Sequence, residues 1–162
     1  MIAPVFVDAN VFVYAVDRRE AQKQTRAADW LSRLWSEQSG RTSMQVLSEY
    51  YATITRKLQP AMPADHAWND IKSLLTWRPQ AIDGDLFLRA HDIEQRYRLS
   101  WWDSMVVAAA QMQDCAVLLT EDLQDGAAYG SVTVRSPFTL SVDEPRAIYH
   151  VTPPRSTHPP RG

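Results

Sequence analysis

The chain has 162 residues and a single cysteine, and its 17 basic side chains stand against 19 acidic ones, a formal net charge of −2. At roughly 150 residues per domain it makes one domain, with no internal disulfide and no cysteine-built zinc site. The near-neutral balance excludes the basic field that drives non-specific duplex binding, and no run approaches the roughly 18 apolar residues of a membrane span.

The N-terminus, Met1-Ile-Ala-Pro-Val-Phe-Val-Asp8, is apolar but has no basic leader and is interrupted by Asp8 and Asn10, so it does not read as a signal peptide. A reducing, cytoplasmic setting is the expectation. Pro4 to Val7 is a β-branched apolar run ending on Asp8 and predicts a buried strand. Val11 to Val16 and Ala21 to Trp35 predict helices. In the second, Ala27, Trp30, Leu31, Leu34 and Trp35 recur at helical spacing, and Gly40 is expected to close it. Thr42 and Ser43 are N-cap candidates for a helix from Met44 to Leu58. Pro60 and Pro63 separate that helix from Ala64 to Trp77, with Pro79 as the next stop, and Asp85 to Tyr97 is a further amphipathic segment. Ser100 opens a short apolar helix. Ala116 to Leu119 and Ser131 to Val134 predict two more strands. Short apolar strands alternating with helices indicate an α/β fold, a three-layer sandwich with a central mostly parallel sheet. The domain is expected over residues 1–140. Residues 141–162, rich in proline, form a tail expected to be disordered towards its end.

Four carboxylates stand at element ends or on an exposed helix face. Asp8 follows the first strand, where an N-cap for the next helix competes with a ligand position, since open parallel sheets bind ligands beyond the C-terminal ends of their strands. Glu49 lies opposite an apolar stripe of Met44, Leu47, Tyr51, Ile54 and Leu58, which is also where an ordinary surface glutamate sits. Asp103 occupies the acidic place of a capping-box pattern, Ser100-Trp101-Trp102-Asp103, and a first helical turn favours an ionised carboxylate. The tryptophan pair reads as core packing ahead of a base-stacking platform. Asp122 follows a strand in a polar loop that suits an Asx-turn, with Glu121 and Asp125 as rivals for any acidic role. Two acids therefore end strands, and a third opens the helix before one of them. Like charges in contact cost from ~1 to ~4 kcal/mol per pair. A divalent cation removes that cost, and all-oxygen ligands suit Mg²⁺ or Mn²⁺ rather than zinc. Such a site activates water and clamps a phosphodiester.

The segments Val5-Phe-Val-Asp8-Ala-Asn10, Thr42-Ser-Met-Gln45-Val-Leu-Ser-Glu49, Leu99-Ser-Trp-Trp-Asp103-Ser-Met-Val-Val-Ala-Ala-Ala and Leu118-Leu-Thr-Glu-Asp122 resemble the four acidic motifs of PIN domains, and most of all those of VapC-type toxins. The resemblance runs in the correct order over about residues 3–136. It implies a Mg²⁺-dependent endoribonuclease, with Mn²⁺ as a substitute, that acts as the toxin of a toxin–antitoxin pair, usually as a homodimer inhibited by its antitoxin. It assigns Asp8, Glu49, Asp103 and Asp122 as metal-binding and catalytic acids, and Asn10 and Ser43 as polar residues lining the pocket.

Two other readings compete. A haloacid-dehalogenase-type phosphatase ends its strand in Asp-x-Asp, but Asn10 occupies the second position and cannot protonate a leaving group. A non-catalytic α/β signalling module of the receiver kind needs a lysine on a late strand, and the three lysines are Lys23, Lys57 and Lys72.

Overall fold

A three-residue strand whose every position is apolar has no face to show to water. In the computed structural model, which describes residues 3–142, β1 (Val5–Val7) and β3 (Val117–Leu119) are buried throughout. Since alternate strand side chains point to opposite faces, layers must cover both. The two strands pair at the centre of a five-stranded sheet of order β2-β1-β3-β5-β4, where β2 is Gly40–Arg41, β4 Ala128–Tyr129 and β5 Val132–Arg135. All pairings are parallel except β4 with β5, which is antiparallel. The fold is thus an α/β sandwich around a mostly parallel sheet, in agreement with the sequence pattern.

Among the described residues six α-helices connect and cover the strands: α1 (Ala9–Val16), α2 (Ala21–Glu37), α3 (Met44–Arg56), α4 (Ala64–Leu74), α5 (Gly84–Tyr97) and α6 (Trp101–Met112), with a 3₁₀ turn at Leu75–Trp77. Their starts follow cap chemistry. Asp8, Ser43, Asp83 and Ser100 each accept a backbone N–H of the first turn with a side-chain oxygen.

Three local expectations need correction. Gly40 does not close α2; Gln38, in the left-handed region at φ 53°, does, and Gly40 belongs to β2. A side chain there has no room, because a Cβ would lie 2.3–2.7 Å from three atoms of the Trp77 ring. The buried stripe of α3 is Val46, Leu47, Tyr50 and Ile54, continued by Leu58, while Met44 is exposed and Tyr51 half-buried. Strands β2 and β4, of two residues each, were not expected.

After β5 the chain stays attached to the body. Trp30 Nε1 and Arg26 Nε donate to the Pro137 carbonyl, Arg26 Nη2 donates to the Leu140 carbonyl, and Leu140 is fully buried. Almost all of the expected tail, residues 143–162, lies outside the described residues.

The strand order sets the place for ligands. From β1 the chain crosses to β2 on one side and returns to β3 on the other, so the connections diverge beyond the C-terminal ends of β1 and β3. A crevice at such a switch point is where open α/β sheets bind ligands.

Candidate active site

Parallel register makes neighbours of residues far apart in sequence. Val7 pairs with Leu119, so the residues that follow, Asp8 and Thr120, leave their strands side by side. Both are buried. The Asp8 Oδ1 accepts from the Ala9 N–H (2.8 Å), and Oδ2 accepts from the Thr120 hydroxyl (2.9 Å). Thr120 Oγ1 in turn accepts from Asn10 Nδ2 (2.8 Å) and from the Asp122 N–H (3.1 Å). A hydroxyl has one proton and two lone pairs. With both lone pairs engaged, the proton of Thr120 goes to Asp8. Asn10 Oδ1 accepts from the Glu121 N–H (3.3 Å), which ties α1 to the loop after β3.

On the other side of β1, Thr42 donates from Oγ1 to the Val7 carbonyl (3.1 Å), and the buried Ser43 caps α3 by accepting from the Val46 N–H. Helix α3 therefore starts at the rim of the crevice and carries Glu49 along it. Gln45, one turn before Glu49, donates from Nε2 to the Trp102 carbonyl (3.3 Å), joining α3 to the start of α6 and hence to Asp103.

Burial first, with a smaller push from the charges of Asp122 and Glu49, raises the Asp8 carboxyl to about 6 against the hydrogen bonds from Ala9 and Thr120 that lower it. Glu49 is solvent-exposed as a residue, yet partial burial of its carboxyl and the nearby Asp122 and Asp103 hold it above the usual carboxylate range, with Lys57 opposing. Asp8 is thus influenced by Asp122 and Glu49, and Glu49 by Asp122 and Asp103. Four separate elements supply them. Among the described residues, however, no group of three or more His, Cys, Asp or Glu side chains lies close enough together to hold a metal ion. Mg²⁺ does not require such a group, because it keeps several waters and binds through one or two carboxylates plus substrate oxygens. The buried Asp8 and the two carboxylates that raise it, Asp122 and Glu49, are oxygen donors of the kind such an ion takes.

The rivals of Asp122 are engaged elsewhere. The Glu121 carboxylate accepts from the Tyr14 hydroxyl and from Lys23 Nζ (3.2 Å), while Asp125 takes Arg135, the Ser136 N–H and Thr139. Asp122 forms an ST-turn through its own N–H rather than an Asx-turn, which leaves its carboxylate free of that duty. Only half of the expected capping box forms: Ser100 Oγ accepts from the Asp103 N–H (3.1 Å), with no return bond from the Asp103 carboxylate among the described residues. The tryptophan pair splits. Trp101 packs edge-on against Phe87 (5.3 Å), whereas Trp102 is 66% exposed, so core packing describes only one of them. Sequence reasoning missed Thr120. Its one signal was its position, the first polar residue after a second buried strand.

The family model described as the PIN domain matches residues 5–124. Among solved structures, the chain is similar to one of FitAB bound to an IR36 DNA fragment (TM-score 0.67, 18% identity, 85% of this chain and 97% of that one). It is also similar to a toxin–antitoxin complex from Klebsiella pneumoniae (TM-score 0.56, 20% identity, 83% and 98%). A third is VapBC-1 from nontypeable Haemophilus influenzae (TM-score 0.54, 15% identity, 83% and 98%). No curated protein matches the sequence. At these identities the structural likeness establishes the fold.

Proposed function

The chain belongs to the PIN domain family, and from that premise we propose that it is a Mg²⁺-dependent endoribonuclease acting as the toxin of a toxin–antitoxin pair. The observation that supports the reading is the buried Asp8 at the switch point of the sheet, its two oxygens held by the Ala9 N–H and Thr120, with the negative charges of Glu49 and Asp122 near enough to repel its own. Such repulsion at one spot destabilises the fold unless the spot binds something positive.

Asp8, Asp103, Glu49 and Asp122 would hold Mg²⁺, with Mn²⁺ as a substitute. Bound there, the ion supplies Lewis-acid charge that offsets the negative charge developing as an RNA phosphodiester is hydrolysed. The chain's own groups do the rest. Thr120 and the Ala9 N–H hold both oxygens of Asp8 in one orientation, so little reorganisation remains at the moment of reaction. Asn10 locks the loop that carries Asp122, and Ser43 fixes the start of the helix that carries Glu49. Glu49, held above its ordinary value first by burial and then by Asp122, is open to solvent and would take a proton from attacking water. The phosphatase alternative loses further ground, because the Asn10 amide is spent on Thr120 and Glu121.

An antitoxin partner belongs to the same proposal, supported by the likeness to a toxin–antitoxin complex, and a homodimer is what the resemblance to VapC-type toxins implies. Among the described residues no helix is long and apolar enough to cross a membrane, and a cytoplasmic location accords with the proposal.

The test is cleavage of RNA with Mg²⁺. Glu49→Gln and Asp103→Asn are expected to abolish it, along with any growth arrest on expression. Activity above one tenth of wild type (roughly 1.4 kcal/mol of barrier) in both variants, insensitive to chelator, would overturn the assignment. Co-expression of a small neighbouring gene product is expected to silence the wild type.

A further inference from the structure

Asp122 is placed by its backbone. Among the described residues no hydrogen bond reaches its carboxylate, so the loop after β3 decides where that group sits. Two bonds hold the loop at the main chain, from the Asp122 N–H to Thr120 Oγ1 (3.1 Å) and from the Glu121 N–H to Asn10 Oδ1 (3.3 Å). A third anchor acts through the Glu121 side chain. Lys23 Nζ donates to Glu121 Oε2 (3.2 Å) and to the Tyr14 hydroxyl oxygen (3.3 Å), and that hydroxyl gives its own proton to Glu121 Oε1. The three groups close a ring: the ammonium donates twice, the phenol accepts once and donates once, and the carboxylate accepts at both oxygens. Lys23 Nζ also lies over the rings of Tyr14 (4.7 Å) and Phe138 (5.0 Å), which meet edge to face at 5.2 Å. An exposed ion pair alone holds little. Here α1, α2 and the segment after β5 all converge on one carboxylate, and the aromatic walls confine the ammonium that binds it.

We propose that Lys23 and Tyr14 are positioning residues for the metal site, which by gripping Glu121 fix the backbone from which the adjoining Asp122 projects; this rests on the metal-dependent nuclease reading above. Asp122 is the acid whose charge acts on both Asp8 and Glu49, so a shift of this loop alters the donor set at its centre. The charge of Lys23 and its grip act on a cation in opposite senses. As a mere positive charge near the acids, Lys23 repels a divalent ion, and its loss would tighten binding. As an anchor of the loop it favours the ion, and its loss weakens binding.

The experiment titrates Mn²⁺ alone into the full-length wild type, Lys23→Met, Lys23→Arg and Tyr14→Phe by calorimetry, with thermal melts in chelator and RNA cleavage alongside. Lys23→Met is expected to weaken Mn²⁺ binding roughly tenfold, the low end of what losing a residue behind the ligands costs. Its midpoint in chelator should stay within about 4 °C of wild type. Tyr14→Phe keeps the ring but loses both hydroxyl bonds, and about a three- to tenfold loss of affinity is expected. Lys23→Arg can still pair with the carboxylate and stack on the rings, so it should remain within about threefold of wild type. Unchanged or tighter Mn²⁺ binding in Lys23→Met or Tyr14→Phe overturns the proposal, and so does a Lys23→Arg as impaired as Lys23→Met. Weaker binding that comes with a collapse of the chelator midpoint also overturns it, because the fold and not the loop has then failed. A wild type that binds no Mn²⁺ ends the metal reading and takes the anchor with it, whereas one that binds Mn²⁺ but cleaves no RNA ends only the nuclease reading.

Discussion

At the scale of single residues, the site is a problem in hydrogen-bond direction. Thr120 has one proton to give, and the geometry sends it to Asp8. Thr120→Val keeps the shape but strands Asp8 Oδ2, the Asn10 amide and the Asp122 N–H. A loss of about 1–3 kcal/mol in unfolding free energy is expected, with Thr120→Ser close to wild type. Chemical denaturation of the three proteins checks this. Asp8 also makes a prediction about pH. Its carboxyl, near 3.8 in the unfolded chain, is raised to about 6 in the fold. Between those values the folded state binds the extra proton, so its stabilising effect is complete below pH 4 and is lost as pH rises through 6. The metal-free protein should lose up to roughly 3 kcal/mol across that window. Asp8→Asn should lack the slope and, at pH 7 to 8 without metal, be as stable as wild type or more so. Melts from pH 4 to 8 in chelator decide it. Asp8 and Asn10 were legible in the sequence because they follow an obvious strand. Thr120 was not, because its role comes from the register between β1 and β3, which no local pattern encodes.

At the scale of elements, β2 shows why short strands escape prediction. Two residues carry no periodicity, and Gly40 looks like a helix stop when only its neighbours in sequence are considered. Its real constraint is an aromatic ring from another segment. Trp77 lies against Gly40 and packs with Trp35 (5.1 Å) and Phe12 (6.0 Å), so it cannot move aside freely. Gly40→Ala is therefore expected to cost about 1–3 kcal/mol by overpacking, measurable as a lower denaturation midpoint. The helices were easier, since caps and apolar stripes are local features, and the corrections in α3 shift its buried face by one residue without moving the helix. Glu49 remained ambiguous for the same reason. A helix can show that a glutamate faces away from its core, but not that Asp122 and Asp103, from distant segments, raise its carboxyl.

For the whole molecule, the last elements decide where the body ends. Removing the residues after about 150 is expected to leave the melting midpoint and nuclease activity nearly unchanged, because that stretch is proline-rich and offers little apolar surface. Removing residues from 136 onward should be severe, since Leu140 is fully buried and Pro137 takes hydrogen bonds from Arg26 and Trp30. Comparing the two truncations by thermal melt locates the boundary. A global consequence of the acid group is linkage to metal. An ion that binds only the folded chain adds RT ln(1 + [L]/Kd), about 2.7 kcal/mol at a hundredfold excess over Kd. Millimolar Mg²⁺ or Mn²⁺ is expected to raise the wild-type midpoint, with a smaller rise in Asp8→Asn and Asp103→Asn. A midpoint that ignores saturating metal would remove the physical basis of the site.

The pairing of β1 with β3 also imposes a timetable on synthesis. Asp8 and Glu49 leave the ribosome early, but the hydroxyl that orients Asp8 is 112 positions downstream, and Asn10 waits 111 positions for its partner at Glu121. Until β3 has emerged, the nascent chain holds acids without the strand that seats them. On the proposed reading, a translation product ending before Leu119 lacks the strand that seats Asp8 and would not cleave RNA, so the activity belongs only to a nearly finished polypeptide.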